Sequence, residues 1–312
     1  MDDAFRARSG FIRRTGVTRA EARARYRWRG GRGALVESWG PGVDVGGTWA
    51  RDDFWAGRGP GEAEVELNLY ASFRGNVGGY LSYSRTAFSV GTDEYEGLFV
   101  AGRDGEAAVP FAASRARFRA LHRLRLRSWI NRWERVRISL EGSWREMPIF
   151  DLWRGLPAES GESWEGELDL WLQPTGSLSA EMGVRHATIF RDRDGSRYSS
   201  ATIPRFQARY QFSRALFARA IAEYAARDRG PVLDPETGRP LLECADGVCS
   251  SGEPSATYDL SVEGLVGYEP SPGTVVFLGY TRRMRDTRGL GFQELTPETD
   301  GLFVKVAYRL RV

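Results

Sequence analysis

Between Ser114 and Arg145 the chain alternates with a period of two for longer than a globular strand needs. Ala116, Phe118, Ala120, His122, Leu124, Leu126, Ser128 and Ile130 fall on one side, and Arg115, Arg117, Arg119, Leu121, Arg123, Arg125, Arg127 and Trp129 on the other. After a turn through Asn131 and Arg132 the pattern resumes, with Val136, Ile138, Leu140, Gly142 and Trp144 opposite Arg135, Arg137, Ser139, Glu141, Ser143 and Arg145. Successive side chains of a strand point to opposite faces. Each strand therefore lays an apolar edge against something greasy and an arginine edge against something wet. Both are about twice the usual strand length of roughly 5 to 6 residues. A soluble sandwich also alternates, because one face of each sheet meets water. It needs neither this length nor apolar outward stripes ended by Trp and Tyr.

The same alternation recurs along the chain. Ala20, Ala22, Ala24, Tyr26 and Trp28 alternate with Arg19, Glu21, Arg23, Arg25 and Arg27, and Ala63, Val65, Leu67, Leu69, Ala71 and Phe73 with Glu62, Glu64, Glu66 and Asn68. Trp164, Gly166, Leu168, Leu170 and Leu172 face Glu165, Glu167 and Asp169, and the chain ends in Leu302, Val304, Val306, Tyr308, Leu310 and Val312. Connections alternate in length. Short turns such as Arg74–Asn76, Gln173–Gly176 and Ser213–Arg214 fall at one end, and long segments such as Ser89 to Ser114, Met147 to Ser163 and Asp228 to Pro254 at the other. Bacterial outer-membrane barrels show this asymmetry, with the short turns periplasmic and the long loops extracellular. About 13 strands of ten or more residues are readable, against the 9–11 that cross a tilted bilayer. Single-chain bacterial barrels use even numbers, so the expectation is an all-β, antiparallel transmembrane β-barrel of about 14 strands. Residues 17–312 form the barrel and 1–16 an N-terminal loop or partial strand. Outer-membrane lipid is the expected partner, and the last strand offers an alternating edge to the barrel-assembly machinery.

Composition narrows the alternatives. A net charge of +3, from 44 Lys+Arg and 41 Asp+Glu, argues against a nucleic-acid partner. The basic residues are nearly all Arg, whose planar fork suits crowded pairing with carboxylates. No run approaches the roughly 20 apolar residues of a membrane-spanning helix. Cys244 and Cys249 lie close together, and in an oxidising compartment they pair as a small-loop disulfide. Met1 to Gly16 holds no apolar signal core, so either the protein is not exported or this chain begins downstream of its true start.

The arginine and acid rows are the candidate site. Arg19, Arg23, Arg25, Arg117, Arg119, Arg123, Arg125, Arg127, Arg135 and Arg137, with Glu64, Glu66, Glu165, Glu167 and Asp169, are expected to line the lumen. One reading is a pore favouring an anionic or glycan solute, as charged rings do in channels. The other, which weighs more, is a lumen whose rows pair with one another across the barrel, because charges need partners before substrates. His122 and His186 fall on the lipid side, with no ligand spacing for a metal. There is no G-x-S-x-G, P-loop or H-E-x-x-H, so no enzyme activity and no cofactor are expected. Asp192 to Gly195 and Asp234 to Gly238 are turn chemistry. Trp28 and Phe73 at turn ends, and Trp144, Trp164, Tyr224 and Tyr258 near the long loops, suit interfacial girdles. The competing readings are an outer-membrane enzyme with a loop-borne active site and a soluble ligand-binding β-barrel.

The opening Ser9-Gly-Phe-Ile-Arg-Arg-Thr-Gly16 and the ending Gly301-Leu-Phe-Val-Lys-Val-Ala-Tyr-Arg-Leu-Arg311 resemble an uncharacterised outer-membrane family of Gram-negative bacteria. There, a carbohydrate-binding-module-like sandwich precedes a C-terminal membrane barrel. The resemblance covers the barrel part and implies location and fold rather than chemistry. It also implies that the sandwich, the signal peptide and the first barrel strands lie upstream of this chain, and it suggests a link to glycan handling.

Overall fold

The structure is a computed structural model that describes residues 16–89, 95–103, 106–112, 117–153, 155–245, 248–271, 273–292 and 294–308. Apart from Gly16, the N-terminal segment expected as a loop or partial strand lies outside the described residues, as do Leu310 and Val312.

Eighteen strands and one short helix make up the described chain. The strands are β1 (Val17–Arg25), β2 (Trp28–Arg29), β3 (Val36–Ala50), β4 (Glu62–Phe73), β5 (Val77–Ser89), β6 (Leu98–Val100), β7 (Val109–Pro110), β8 (Arg117–Trp133) and β9 (Val136–Phe150). They continue with β10 (Pro157–Leu172), β11 (Leu178–Arg191), β12 (Arg197–Gln211), β13 (Leu216–Arg229), β14 (Leu241–Ala245), β15 (Val248–Ser251), β16 (Ser255–Ser271), β17 (Thr274–Arg285) and β18 (Thr296–Tyr308). Helix α1 (Arg51–Trp55) sits in the β3–β4 connection. Two sheets result. The large one runs β1-β3-β4-β5-β8-β9-β10-β11-β12-β13-β16-β17-β18 with β2 beside β3, and the small one runs β15-β14-β6-β7. Each main-sheet strand is antiparallel to the next in sequence, an up-and-down meander. Among the described residues β1 and β18 are its two ends.

Register fixes which residues share a face. Directly opposed residues point the same way, so the row Tyr83, Leu124, Trp144, Trp164 lies on one face. The row Tyr80, Arg127, Glu141, Glu167, Arg185 lies on the other. The apolar face is open: Leu67 is 53% exposed, Leu126 47%, Leu140 45% and Leu278 47%. A monomeric soluble protein rarely leaves a continuous apolar patch beyond a few hundred Å² uncovered, whereas a membrane barrel turns such a face to hydrocarbon. With main-sheet strands such as β4 at 12 residues and β8 at 17, long enough to cross a bilayer, the architecture is that of an antiparallel transmembrane β-barrel.

Near the short turns the polar face is closed by aromatic rings laid on glycines. A Cβ on Gly78 would stand 2.3 Å from Trp129, and one on Gly267 2.4 Å from Phe217. Only a hydrogen leaves room for a ring to lie flat across the neighbouring strand.

Three local features differ from the sequence expectation. Strand β8 continues to Trp133, so the turn falls at Glu134 and Arg135 rather than at Asn131 and Arg132. Strands β9 and β10 extend to Phe150 and from Pro157, which shortens the expected long loop between Met147 and Ser163 to residues 151–156. Pro148 and Pro157 had suggested a loop. Pro157 opens β10 and Pro148 lies in the last three residues of β9, near strand ends where the ladder tolerates a missing N–H, and the register shifts next to Pro157. Ala120 adopts φ 63, and pairing slips there, so that Phe118 meets Phe88 on the polar face. A bulge of this kind reverses the phase of the residues beyond it.

Leu126→Arg, in the middle of the apolar face, is expected to lower unfolding stability in lipid vesicles by about 2–4 kcal/mol. Gln207→Arg on the polar face is expected to change it by under about 0.5 kcal/mol. Urea titration of both variants checks this, and equal effects would contradict the assignment of faces.

Candidate functional site

The polar face carries charge in pairs made between neighbouring strands. Glu141 of β9 accepts from Arg125 Nε at 2.7 Å and Arg127 Nε at 2.8 Å, both on β8. Arg145 of β9 reaches Glu165 of β10 at 2.7 Å, and Arg185 of β11 reaches Glu167 of β10 at 2.7 Å. Asp44 of β3 lies 3.2 Å from Arg23 Nε and 3.5 Å from Arg25 Nη2 of β1, and accepts from Asn68 Nδ2 at 2.9 Å. Arg19 pairs with Glu21 on its own strand. Glu66 accepts the Tyr80 hydroxyl at 2.6 Å, and Asp169 the Ser139 hydroxyl at 3.4 Å. Glu64 continues the acid row of β4 beside Glu66, opposite Thr86 of β5. Apart from Arg19 and Glu21, these partners sit one strand apart along the sheet, not on opposite walls.

Other residues singled out in the sequence fall differently. Arg137 is opposite Trp171 and stacks over its ring, 3.8 Å from the centroid. Arg135 lies in the β8–β9 turn, its Nη1 3.3 Å from the Pro174 carbonyl. The side chains of Arg117 and Arg119 are outside the described residues. A cavity of about 570 Å³ opens on this face, lined by Trp129, Arg137, Asp169, Trp171 and Arg185. It combines two indoles with guanidinium and carboxylate groups, chemistry suited to polar solutes rather than to a fixed metal. Among the described residues no cluster of His, Cys, Asp and Glu could hold one. His122 and His186 sit on the apolar face, each satisfied by a cross-strand hydroxyl, Tyr83 at 2.6 Å and Thr202 at 2.9 Å.

At the loop end the polar face is covered. Strands β6 and β7 from one long connection and β14 and β15 from another form the small sheet, joined where Leu241 pairs with Val100. This cap has a packed core of Tyr95, Leu98, Val100, Phe111, Val232 and Leu241, seated on Ile149, with Ile189 packed against it. Ile149 and Ile189 continue the rows of Arg145 and Arg185, so the cap rests on the polar face. Beneath it lies a buried ion pair. Arg191 is 4% exposed and Glu159 2%, with Nη1 2.9 Å from Oε1. The same pair grips the cap backbone: Leu233 N–H donates to Glu159 Oε1 at 2.6 Å, and Arg191 Nη2 donates to the Pro231 carbonyl at 2.6 Å. Tyr95 adds a bond to the Pro157 carbonyl at 2.7 Å. Cys244 and Cys249, directly opposed in the β14–β15 hairpin, form a disulfide.

Sequence patterning did not mark Glu159 or Arg191. Glu159 falls in the segment that reads as a long loop and Arg191 at the edge of the compact loop that follows it, and only the cap folding over them separates them from Glu165 or Arg185.

In the connections, two aspartates are held ionised. Asp194 sits below the usual carboxylate range through hydrogen bonds from Ser196, helped by Arg193. For Asp286, burial is the largest influence and pushes the carboxyl up. Donors from Phe292 N–H, the Tyr224 hydroxyl, and the Arg288 and Thr287 N–H groups together outweigh it and hold the carboxyl low. A depressed pKa stabilises the fold above the ordinary carboxylate value, and that contribution is lost as pH falls through the depressed one.

In sequence the chain matches no family model and no curated protein. In fold it is similar to several solved outer-membrane proteins. A mutant of the ferric enterobactin receptor PfeA from Pseudomonas aeruginosa aligns at 12% identity over 93% of this chain and 49% of that one, with a TM-score of 0.43. The NanC porin aligns at 8% identity over 93% and 99%, with a TM-score of 0.30. OmpT, an outer membrane protein of Vibrio cholerae, aligns at 9% identity over 96% and 99%, with a TM-score of 0.35. The chain spans about half the length of the receptor. The likeness concerns the fold alone.

Glu159→Ala leaves the Arg191 guanidinium buried without its carboxylate, a loss of about 3–5 kcal/mol for such pairs. The expected outcome is release of the cap, seen as new protease cleavage between residues 231 and 245 while the main sheet stays resistant. An unchanged digestion pattern would show that the pair does not hold the cap.

Proposed function

We propose that this chain acts in the bacterial outer membrane as a passive β-barrel pore. The polar face lines its lumen, and the cap of β6, β7, β14 and β15 narrows the outer mouth. The observation that carries this reading is the contrast between the two faces of one continuous sheet: leucines nearly half exposed on one side, ion pairs on the other. Lipid on the first face and water on the second satisfy both.

Arg125, Arg127, Arg145 and Arg185 are already paired with carboxylates. The lumen therefore favours small polar solutes generally, with at most a weak preference for anions. The disulfide in the cap fits an oxidising compartment, as expected for loops on the far side of an outer membrane. The exposed edge strand β18 is the element that the assembly machinery would engage. The packed core of the cap supports a second reading, a surface scaffold whose lumen is plugged.

Planar-bilayer recording of the purified protein separates these. A pore gives discrete conductance steps, and replacing residues 231–254 with a short Gly/Ser linker makes them larger. A plugged scaffold conducts only after that replacement. Absence of conductance in both forms, or a monomer that stays soluble without detergent, would overturn the pore.

A further inference from the structure

The segment after β17 folds back onto the apolar wall of the sheet. Tyr224 belongs to that wall: Ala218, Ala220 and Ala222 precede it in phase, and its register partner Leu260 opposes Met284. It is nevertheless only 3% exposed, because residues 286–292 lie over it. The Phe292 ring stands 4.8 Å from the Tyr224 ring. Gly289 rests on Tyr258, another residue of the same wall, where a Cβ would come within 3.0 Å of the ring.

Two bulky residues of this segment adopt a left-handed backbone, Leu290 at φ 59 and Phe292 at φ 55, a region that L-residues of this size avoid. Hydrogen bonds hold them there. Leu290 N–H donates to the Tyr224 hydroxyl at 2.8 Å, and Phe292 N–H to Asp286 Oδ2 at 2.9 Å. The Tyr224 hydroxyl in turn lies 3.0 Å from Asp286 Oδ2 and 3.1 Å from the Arg288 carbonyl. The effect is to project Leu290 and Phe292 outward, 47% and 52% exposed. Against water, strained backbone that presents apolar side chains is doubly unfavourable. Against lipid it is not.

The surroundings are those of a membrane boundary. Toward the turns the wall passes through a polar row, where Tyr280 donates to Asp300 at 2.6 Å and Arg282 lies 3.6 Å from the same carboxylate. Beyond that row it becomes the open apolar band of Leu278, Val304 and Val306. Apolar tips beside arginines, at the edge of such a band, are the composition of interfacial anchors. Two side chains are far too small a patch for a stable protein contact, which buries about 800 Å² per partner.

We propose that residues 286–292 form a preformed finger that seats Leu290 and Phe292 in the surrounding lipid leaflet at the edge of the apolar band, with Arg288 toward anionic headgroups. This rests on the membrane reading above. Tyr224 and Asp286 are its positioning residues.

Both native cysteines are tied in the disulfide, so Leu290→Cys offers one free thiol for a nitroxide. In vesicles of phosphatidylethanolamine and phosphatidylglycerol, its collisions with oxygen and with a water-soluble nickel chelate are compared with labels at Leu278→Cys on the band and Glu236→Cys on the cap. The finger predicts an oxygen-to-nickel ratio at position 290 close to that at 278 and several-fold above that at 236. A water-like ratio at 290 with a lipid-like one at 278 overturns the finger and leaves the membrane reading standing. Water-like ratios at both overturn both, and protection from both quenchers at 290 means a protein partner instead of lipid. Adding Tyr224→Phe or Asp286→Ala is expected to increase nitroxide mobility and lower the ratio. Unchanged spectra would overturn their positioning role.

Discussion

The structure depends on one imbalance of solvation. A sheet whose leucines, valines and aromatics are left uncovered along every strand cannot be stable with water on that side, at roughly 25 cal/mol for each Å² of apolar surface. Covering the face with protein would require a second layer, and among the described residues the only other sheet packs on the opposite face. Hydrocarbon is the remaining solvent. It also explains why one antiparallel ladder, interrupted by local bulges, runs through the whole main sheet, since a bilayer supplies no hydrogen bonds to an unpaired N–H or C=O.

The polar face answers the same constraint from the other side. Several of its carboxylates meet a guanidinium one strand away, as Glu141 does between Arg125 and Arg127. Partly exposed pairs of this kind contribute only about 0.2–1 kcal/mol each, so they keep the face soluble and ordered without fixing it rigidly. The Glu159–Arg191 pair is different in kind. Sealed under the cap, it binds loop backbone as well as its own partner, and it marks where the charged side of the sheet becomes protein interior. The 286–292 segment shows the complementary behaviour, a connection that folds outward over the apolar wall instead of inward over the charged one.

Much of this was legible in the sequence, because period-two alternation and the alternation of short and long connections are both local. Leu124, Leu126 and Leu140 read as outward residues and are found exposed. What was not legible depends on contacts between distant segments. The bulge at Ala120 reverses the phase within β8, yet no local signal marks an alanine as a bulge. Pro148 and Pro157 read as loop formers, although each lies at or near a strand end. The cap brings residues 98–100 against 241–243, two loops whose composition said only that they were loops. Arg135 was counted with the strand because its spacing fits the row, and it lies in the turn.

The central claim is that hydrocarbon, not water or protein, covers the apolar face. Trp28, Trp39 and Trp164 lie exposed on that face, at 40%, 40% and 51%. Quenching of intrinsic tryptophan fluorescence by lipids brominated at defined acyl-chain depths therefore reads the claim most directly. The account predicts strong quenching that is greatest for shallow bromines near the headgroups. Emission indifferent to bromine at every depth, from protein that is folded and bound to the vesicles, would contradict it.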